Sequence, residues 1–190
     1  GPVGSATAYA VNSSGVVTGS AFDPVGYAER ATTWTATQPT FLERRNSAGS
    51  RGLAINDRGQ VAGYAWDSST GQTAAVWSTG TQTLLAQEQG TTSQFATGIN
   101  NASLVVGNRS FDYGQTTQAV TWLNYDIIPL QMLGANASYA SAVNGAGQIA
   151  GYLMYGDPYS ARNQAVVWQG DLATPLLSKA GSNCCSRAHG

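Results

Sequence analysis

The chain has 190 residues, a formal net charge of −1 and only 10% charged side chains, against about a quarter in an average soluble domain. With Lys179 as its one lysine and no basic stripe, it lacks the electrostatic footprint of a nucleic-acid binder, and no run nears the roughly 20 apolar residues of a membrane-spanning helix. The length suits one well-buried domain, whose surface must be built from Ser, Thr, Asn, Gln, Gly and Tyr.

Gly1-Pro2 opens the chain in place of methionine, which fits a protease scar or the mature end left by a removed signal peptide. An uncharged stretch, Gly1 to Tyr9, leads into Ala10-Val11-Asn12-Ser13-Ser14-Gly15-Val16-Val17-Thr18-Gly19. The same pattern returns as Ala54 to Gly63, Gly98 to Gly107 and Ala142 to Gly151. Asn12, Asn56, Asn100 and Asn144 are 44 residues apart each time, and so are Gly19, Gly63, Gly107 and Gly151. A fixed period of that size marks a repeat architecture. The repeats span approximately 5–50, 51–94, 95–138 and 139–178 of a single domain (1–190), with a tail over 179–190.

Residues 51–94 show how one repeat is built. Gly52 to Ile55 reads as a strand and Asn56-Asp57-Arg58-Gly59 as a turn, since Asn bonds the backbone two residues on and Gly accepts the left-handed conformation. Gln60 to Trp66, Thr73 to Ser78 and Gln82 to Leu85 are three further strands, giving an antiparallel meander. Val17, Val61, Val105 and Ile149 mark one face of the second strand, and Thr18, Ala62, Val106 and Ala150 the other. In the third strand Ala31, Ala74, Ala119 and Ala165 oppose Trp34, Trp77, Trp122 and Trp168. Neither face alternates with strongly polar residues, so both faces of each sheet are expected to be covered by neighbours. An all-β propeller of four four-stranded antiparallel blades satisfies this; a β-solenoid, or part of a larger propeller, is the alternative.

The third strands carry a resemblance. Arg30-Ala31-Thr32-Thr33-Trp34, Thr73-Ala74-Ala75-Val76-Trp77, Gln118-Ala119-Val120-Thr121-Trp122 and Gln164-Ala165-Val166-Val167-Trp168, each following an Asn-turn stretch, resemble the bacterial extracellular HAF repeats. That family joins Ala-Ile-Asn-x-x-Gly-x-Val-x-Gly to His-Ala-Phe-x-Trp. Its His and Phe are missing here: Arg30, Thr73, Gln118 and Gln164 stand at the His positions. The resemblance implies secretion to an extracellular location and a repeat fold, and supplies no chemistry.

One recurrence reads as a binding site. Phe22-Asp23, Trp66-Asp67, Phe111-Asp112 and Tyr155-Gly156-Asp157 place an aromatic and a carboxylate where the second strand enters its loop, on the side of the connections between repeats. A ring to stack on sugar C–H groups beside an acceptor for hydroxyls is what a glycan pocket needs; a turn-starting Asp and an edge-capping ring explain the same residues structurally. The Asn set reads mainly as turn caps, and the four Trp as packing between repeats.

Catalysis finds little support. His189 is the only histidine and lies in the tail, so a Ser-His-Asp constellation or a histidine-based metal site has no partner in the repeats. Paired carboxylates for glycoside cleavage remain conceivable among ten acidic residues, yet an active site usually needs one asymmetric constellation. Cys184 and Cys185 are adjacent in the tail and do not frame the fold. Asn12, Asn101, Asn108 and Asn136 fit N-x-Ser sequons, relevant in a glycosylating host. The expectation is a secreted, non-catalytic module without metal or cofactor that binds a ligand, foremost a glycan, or mediates adhesion, its partner being a glycan or a protein surface. The alternative is a self-assembling structural subunit of an extracellular assembly or filament.

Overall fold

The computed structural model describes residues 4–45, 47–67, 71–112, 116–156 and 160–177. Sixteen strands lie among them, four to each repeat, and every chain-consecutive pair within a repeat is antiparallel. The first repeat holds β1 (Ala6–Val11), β2 (Val17–Asp23), β3 (Ala28–Thr35) and β4 (Gln38–Phe41). The second holds β5 (Gly49–Ile55), β6 (Val61–Asp67), β7 (Gly71–Ser78) and β8 (Thr81–Leu84). The third holds β9 (Ser93–Ile99), β10 (Val105–Phe111), β11 (Thr116–Leu123) and β12 (Asp126–Pro129). The fourth holds β13 (Ala137–Val143), β14 (Gln148–Tyr155), β15 (Arg162–Gln169) and β16 (Leu172–Pro175). A single parallel bridge, Gln72 to Ser93, joins the second and third meanders into one sheet.

The recurring turn is built by its asparagine. Asn56 Oδ1 accepts the backbone N–H of Arg58 at 3.1 Å and of Gln60 at 2.9 Å, and Asn12, Asn100 and Asn144 do the same in their own turns. The fourth turn residue is left-handed in all four copies: Gly15, Gly59 and Gly147, with Ser103 at φ 63°. A side chain crowds the backbone at Cβ in that conformation, so the third turn is the strained one. The recurring glycine of the second strand has a different cause. A bulge in the first strand pushes its backbone toward Gly19, Gly63, Gly107 and Gly151, where a methyl would collide with the carbonyl oxygens of Thr7, Arg51, Phe95 and Tyr139.

The cores lie between the repeats. Ala31 and Leu42 of the first pack on Ile55, Val61, Ala75 and Trp77 of the second. Ala62, Ala74, Val76 and Leu85 then meet Ala96, Ile99, Val105, Val120 and Trp122 of the third. Val106, Ala119 and Leu130 meet Ala140, Ile149, Leu153, Val166 and Trp168 of the fourth. The first strand of each repeat lies against the first three strands of the repeat before it, an approach close enough to require the Ala and Gly found there. Burial on both faces therefore holds for the second and third sheets. It fails for the outer face at each end: Ala150 and Ala165 are exposed where Ala62, Val106, Ala74 and Ala119 are fully buried. A closed ring of four would bring β13 against β1, and among the described residues these strands form no packed interface. What stands is an all-β stack of four antiparallel meanders, open between its first and last.

Candidate functional site

Strand direction sorts the loops to two ends. The Asn turns close one end, and β2, β6, β10 and β14 run away from them to deliver Phe22, Trp66, Phe111 and Tyr155 at the other, where the connections between repeats also lie. The four aromatics thus occupy equivalent places, but their surroundings differ.

Trp66 has the surroundings of a binding platform. Its six-membered ring lies against Gly49, where any Cβ would overlap it, so the absence of a side chain there makes room for the indole. Tyr64 sits 5.6 Å away, centroid to centroid, and the Arg51 guanidinium lies 5.9 Å from the ring. The indole is half-buried on the Tyr64 face of its strand, and the Trp66 residue, with Asp67, Arg45, Ser47, Thr73 and Gln82, borders an open groove of about 430 Å³ at the strand's end. Gln82 is almost fully buried, and its backbone N–H donates to Glu43 Oε2 at 2.7 Å. Its side-chain Nε2 has no hydrogen-bond partner among the described residues. A buried amide left unpaired costs about 1–3 kcal/mol.

Gln82 was not among the residues the sequence singled out. It occupies the register position opposite the repeat's tryptophan, and the same position is Pro39, Ile127 and Ala173 in the other repeats. One polar residue among three apolar ones is the signal, visible once the strands are aligned.

The other pairs are occupied differently. Asp23 is buried and accepts Arg30 Nη1 at 2.9 Å and the Val25 N–H at 2.9 Å. The Arg30 hydrogen bond is the leading cause of a carboxyl held below its usual range. Arg30 in turn donates to the Leu42 carbonyl at 2.7 Å and covers Phe41, so Asp23 fastens the β2–β3 loop to the end of the repeat. Phe22 is exposed, and beside it Tyr9, Ser20, Glu29 and Arg51 line a second groove of about 270 Å³. Within it Arg51 binds Glu29 through two 2.8 Å contacts. Burial raises the Glu29 pKa, but its bonds from Arg51 and Ser20 outweigh that and leave it lowered.

Phe111 is half-buried under the Arg109 guanidinium, 4.9 Å from its centroid, and Arg109 is itself bound to Gln118 and Glu88. Asp112 is exposed and left-handed at φ 48°. Tyr155 packs on the core between the third and fourth repeats, its hydroxyl donating to the Leu133 carbonyl at 3.4 Å. Asp157 lies outside the described residues, as do Lys179, Cys184, Cys185 and His189. All four rings thus stand at least partly open to solvent, and among the described residues the surroundings of the pairs differ, with the Trp66–Asp67 pair bordering a groove that also holds the unpaired Gln82 amide.

Among the described residues no three His, Cys, Asp or Glu side chains cluster as metal ligands would, and no helix is long and apolar enough to cross a membrane. No family model matches the chain, and no curated protein is similar to it.

Proposed function

We propose that this chain is a non-catalytic, extracellular glycan-binding repeat module whose principal site is the Trp66–Asp67–Gln82 groove of the second repeat. The observation that carries the reading is the buried, unpartnered Gln82 Nε2 in an open groove that the half-exposed Trp66 and Asp67 also border. A pyranose presents an apolar C–H face and a rim of hydroxyls. Trp66 and the exposed Leu84 border the groove with apolar surface for the first, and Gln82 with Asp67 supplies polar groups for the second. Sites of this kind place a few polar groups that fix orientation in a largely apolar concavity. The low charge of the surface suits a neutral sugar, and the likeness to HAF repeats supports a secreted address. The stacking of each first strand on the preceding sheet further suits an arc of a β-propeller, its four meanders being successive blades.

The experiment is a glycan array followed by calorimetry of the best neutral oligosaccharide against three variants. Gln82→Ile installs the residue that the third repeat carries at this register; it should keep or raise the melting temperature while weakening binding about tenfold or more. Trp66→Ala should abolish measurable binding, and Asp67→Asn should weaken it modestly. An array with no glycan bound, or a Gln82→Ile protein that binds as tightly as the parent, overturns the reading.

A further inference from the structure

Each interface between successive repeats is closed by the same three hydrogen bonds. The turn asparagine donates through Nδ2 to the turn carbonyl of the next repeat: Asn12 to Asn56 at 3.1 Å, Asn56 to Asn100 at 2.9 Å and Asn100 to Asn144 at 3.0 Å. The tryptophan of the next repeat donates back to the carbonyl just beyond the fourth strand: Trp77 to Glu43 at 2.7 Å, Trp122 to Ala86 at 3.1 Å and Trp168 to Gln131 at 2.8 Å. The N–H groups of those same residues, Glu43, Ala86 and Gln131, donate forward to the turn carbonyls of Gly80, Tyr125 and Asp171.

The two ends of the stack hold the separated halves of a fourth such interface. At the leading face, among the described residues, the Asn12 carbonyl receives no side-chain amide and the Trp34 indole N–H has no acceptor. The Thr37 carbonyl stands there where Gly80, Tyr125 and Asp171 accept. At the trailing face, Asn144 Nδ2 turns back onto its own Gln148 Oε1, leaving its second N–H without the carbonyl its three equivalents reach. Leu177 there occupies the place of Glu43, Ala86 and Gln131, and neither its N–H nor its carbonyl has the corresponding partner among the described residues. Every donor missing from one face is present on the other, with the matching acceptor opposite.

The apolar surfaces are split in the same way. On the leading face Val11 is 63% exposed, where its equivalents Ile55 and Ile99 are 9% and 7% exposed against the preceding repeat. Trp34 is half-buried where the other three tryptophans are sealed. On the trailing face Leu176 is 46% exposed, against 5%, 3% and 1% for Leu42, Leu85 and Leu130, which make the same backbone bond to their own third strand. Ala150 and Ala165 lie bare beside it, and a shallow groove of about 280 Å³ runs along Val143, Ile149, Ala150 and Val167.

We propose that the trailing face of one copy docks on the leading face of a second copy, continuing the internal repeat-to-repeat interface across the junction between molecules. The occupant is specified by the faces themselves, because the partner that completes either one must carry this Asn-turn and Trp pattern, and the other end of this chain carries it. The contact is heterologous, so it propagates head to tail until the copies close a ring or extend as a filament. It is independent of glycan binding.

The test is sedimentation equilibrium of the full chain from micromolar to millimolar concentration, with two surface variants. Val11→Arg blocks the leading face and Ala150→Arg the trailing face; both positions are exposed, and circular dichroism checks that each variant keeps its fold. The parent should rise with concentration to at least about twice its 19.7 kDa mass. Each variant alone should stay monomeric. An equimolar mixture should form dimers and nothing larger, since one intact leading face and one intact trailing face remain to meet. A parent that stays monomeric at millimolar concentration overturns the proposal. So do variants that still associate alone, since that would mean like faces meet, or a mixture that stays monomeric while the parent assembles, since an intact leading face and an intact trailing face would then have failed to meet.

Discussion

The third and fourth repeats have nearly the same local pattern and different fates. Val106 of β10 and Ala150 of β14 stand at one register position, on the face that looks toward the next repeat; the first is completely buried and the second exposed. The residues around each are alike in kind. What differs is the presence of a covering sheet, so burial in this molecule is conferred by a neighbour rather than by the repeat's own sequence. A repeat fold of this sort is stable as a sum of interfaces, and its end repeats are intrinsically its weakest parts.

Placing a carboxylate at each of these two positions should give the largest contrast. Val106→Asp buries an unpaired charge between sheets and should cost about 4 kcal/mol or more; Ala150→Asp should change stability by less than about 0.5 kcal/mol in dilute solution. Urea unfolding of the two variants checks this, and similar losses would mean the two faces are equally covered. The tryptophans sharpen the same comparison from the other side. Trp122→Ala empties a sealed site and should cost about 3–5 kcal/mol, while Trp34→Ala, at a half-buried position, should cost about 1–2 kcal/mol.

A smaller effect separates the turns. Gly59 and Ser103 are both left-handed, so Gly59→Val should destabilise by about 1–2 kcal/mol, and Ser103→Gly should stabilise by up to about 1 kcal/mol. The smallest effect is a pH dependence. Asp57 accepts the Asn101 side-chain amide and the Ser13 N–H, and those bonds hold its pKa down to about 2 from 3.8. A depressed carboxylate contributes stability above its unfolded pKa and loses it as pH falls through the folded value. The melting-temperature advantage of the parent over Asp57→Asn should therefore be full above about pH 4 and fade toward pH 2.

Much of this fold was legible because it is written in local chemistry repeated four times. Asn and Gly announce their turns wherever they stand, and the 44-residue spacing of Asn12, Asn56, Asn100 and Asn144 required only counting. The openness of the stack was not legible: Ala150 looks like Ala62 and is buried or bare according to whether another sheet lies over it. The site divides along the same line. Trp66 and Asp67 were visible as one copy of a recurrence that includes Asp23, and what only the fold shows is that Arg30 holds the Asp23 carboxylate. Gln82 escaped notice because a glutamine in a short outer strand is ordinary until its burial and its missing partner are seen together.

The dependence of each sheet on its neighbours is tested most directly by native-state hydrogen exchange, resolved peptide by peptide at a dilution where the chain is monomeric. The amides of β6, β7 and β10, sheltered on both faces, should exchange only through the slowest openings of the protein, with β1, β15 and β16 exchanging far faster. Uniform protection across all four repeats would contradict the account, because it would mean the end sheets lose nothing by lacking a neighbour.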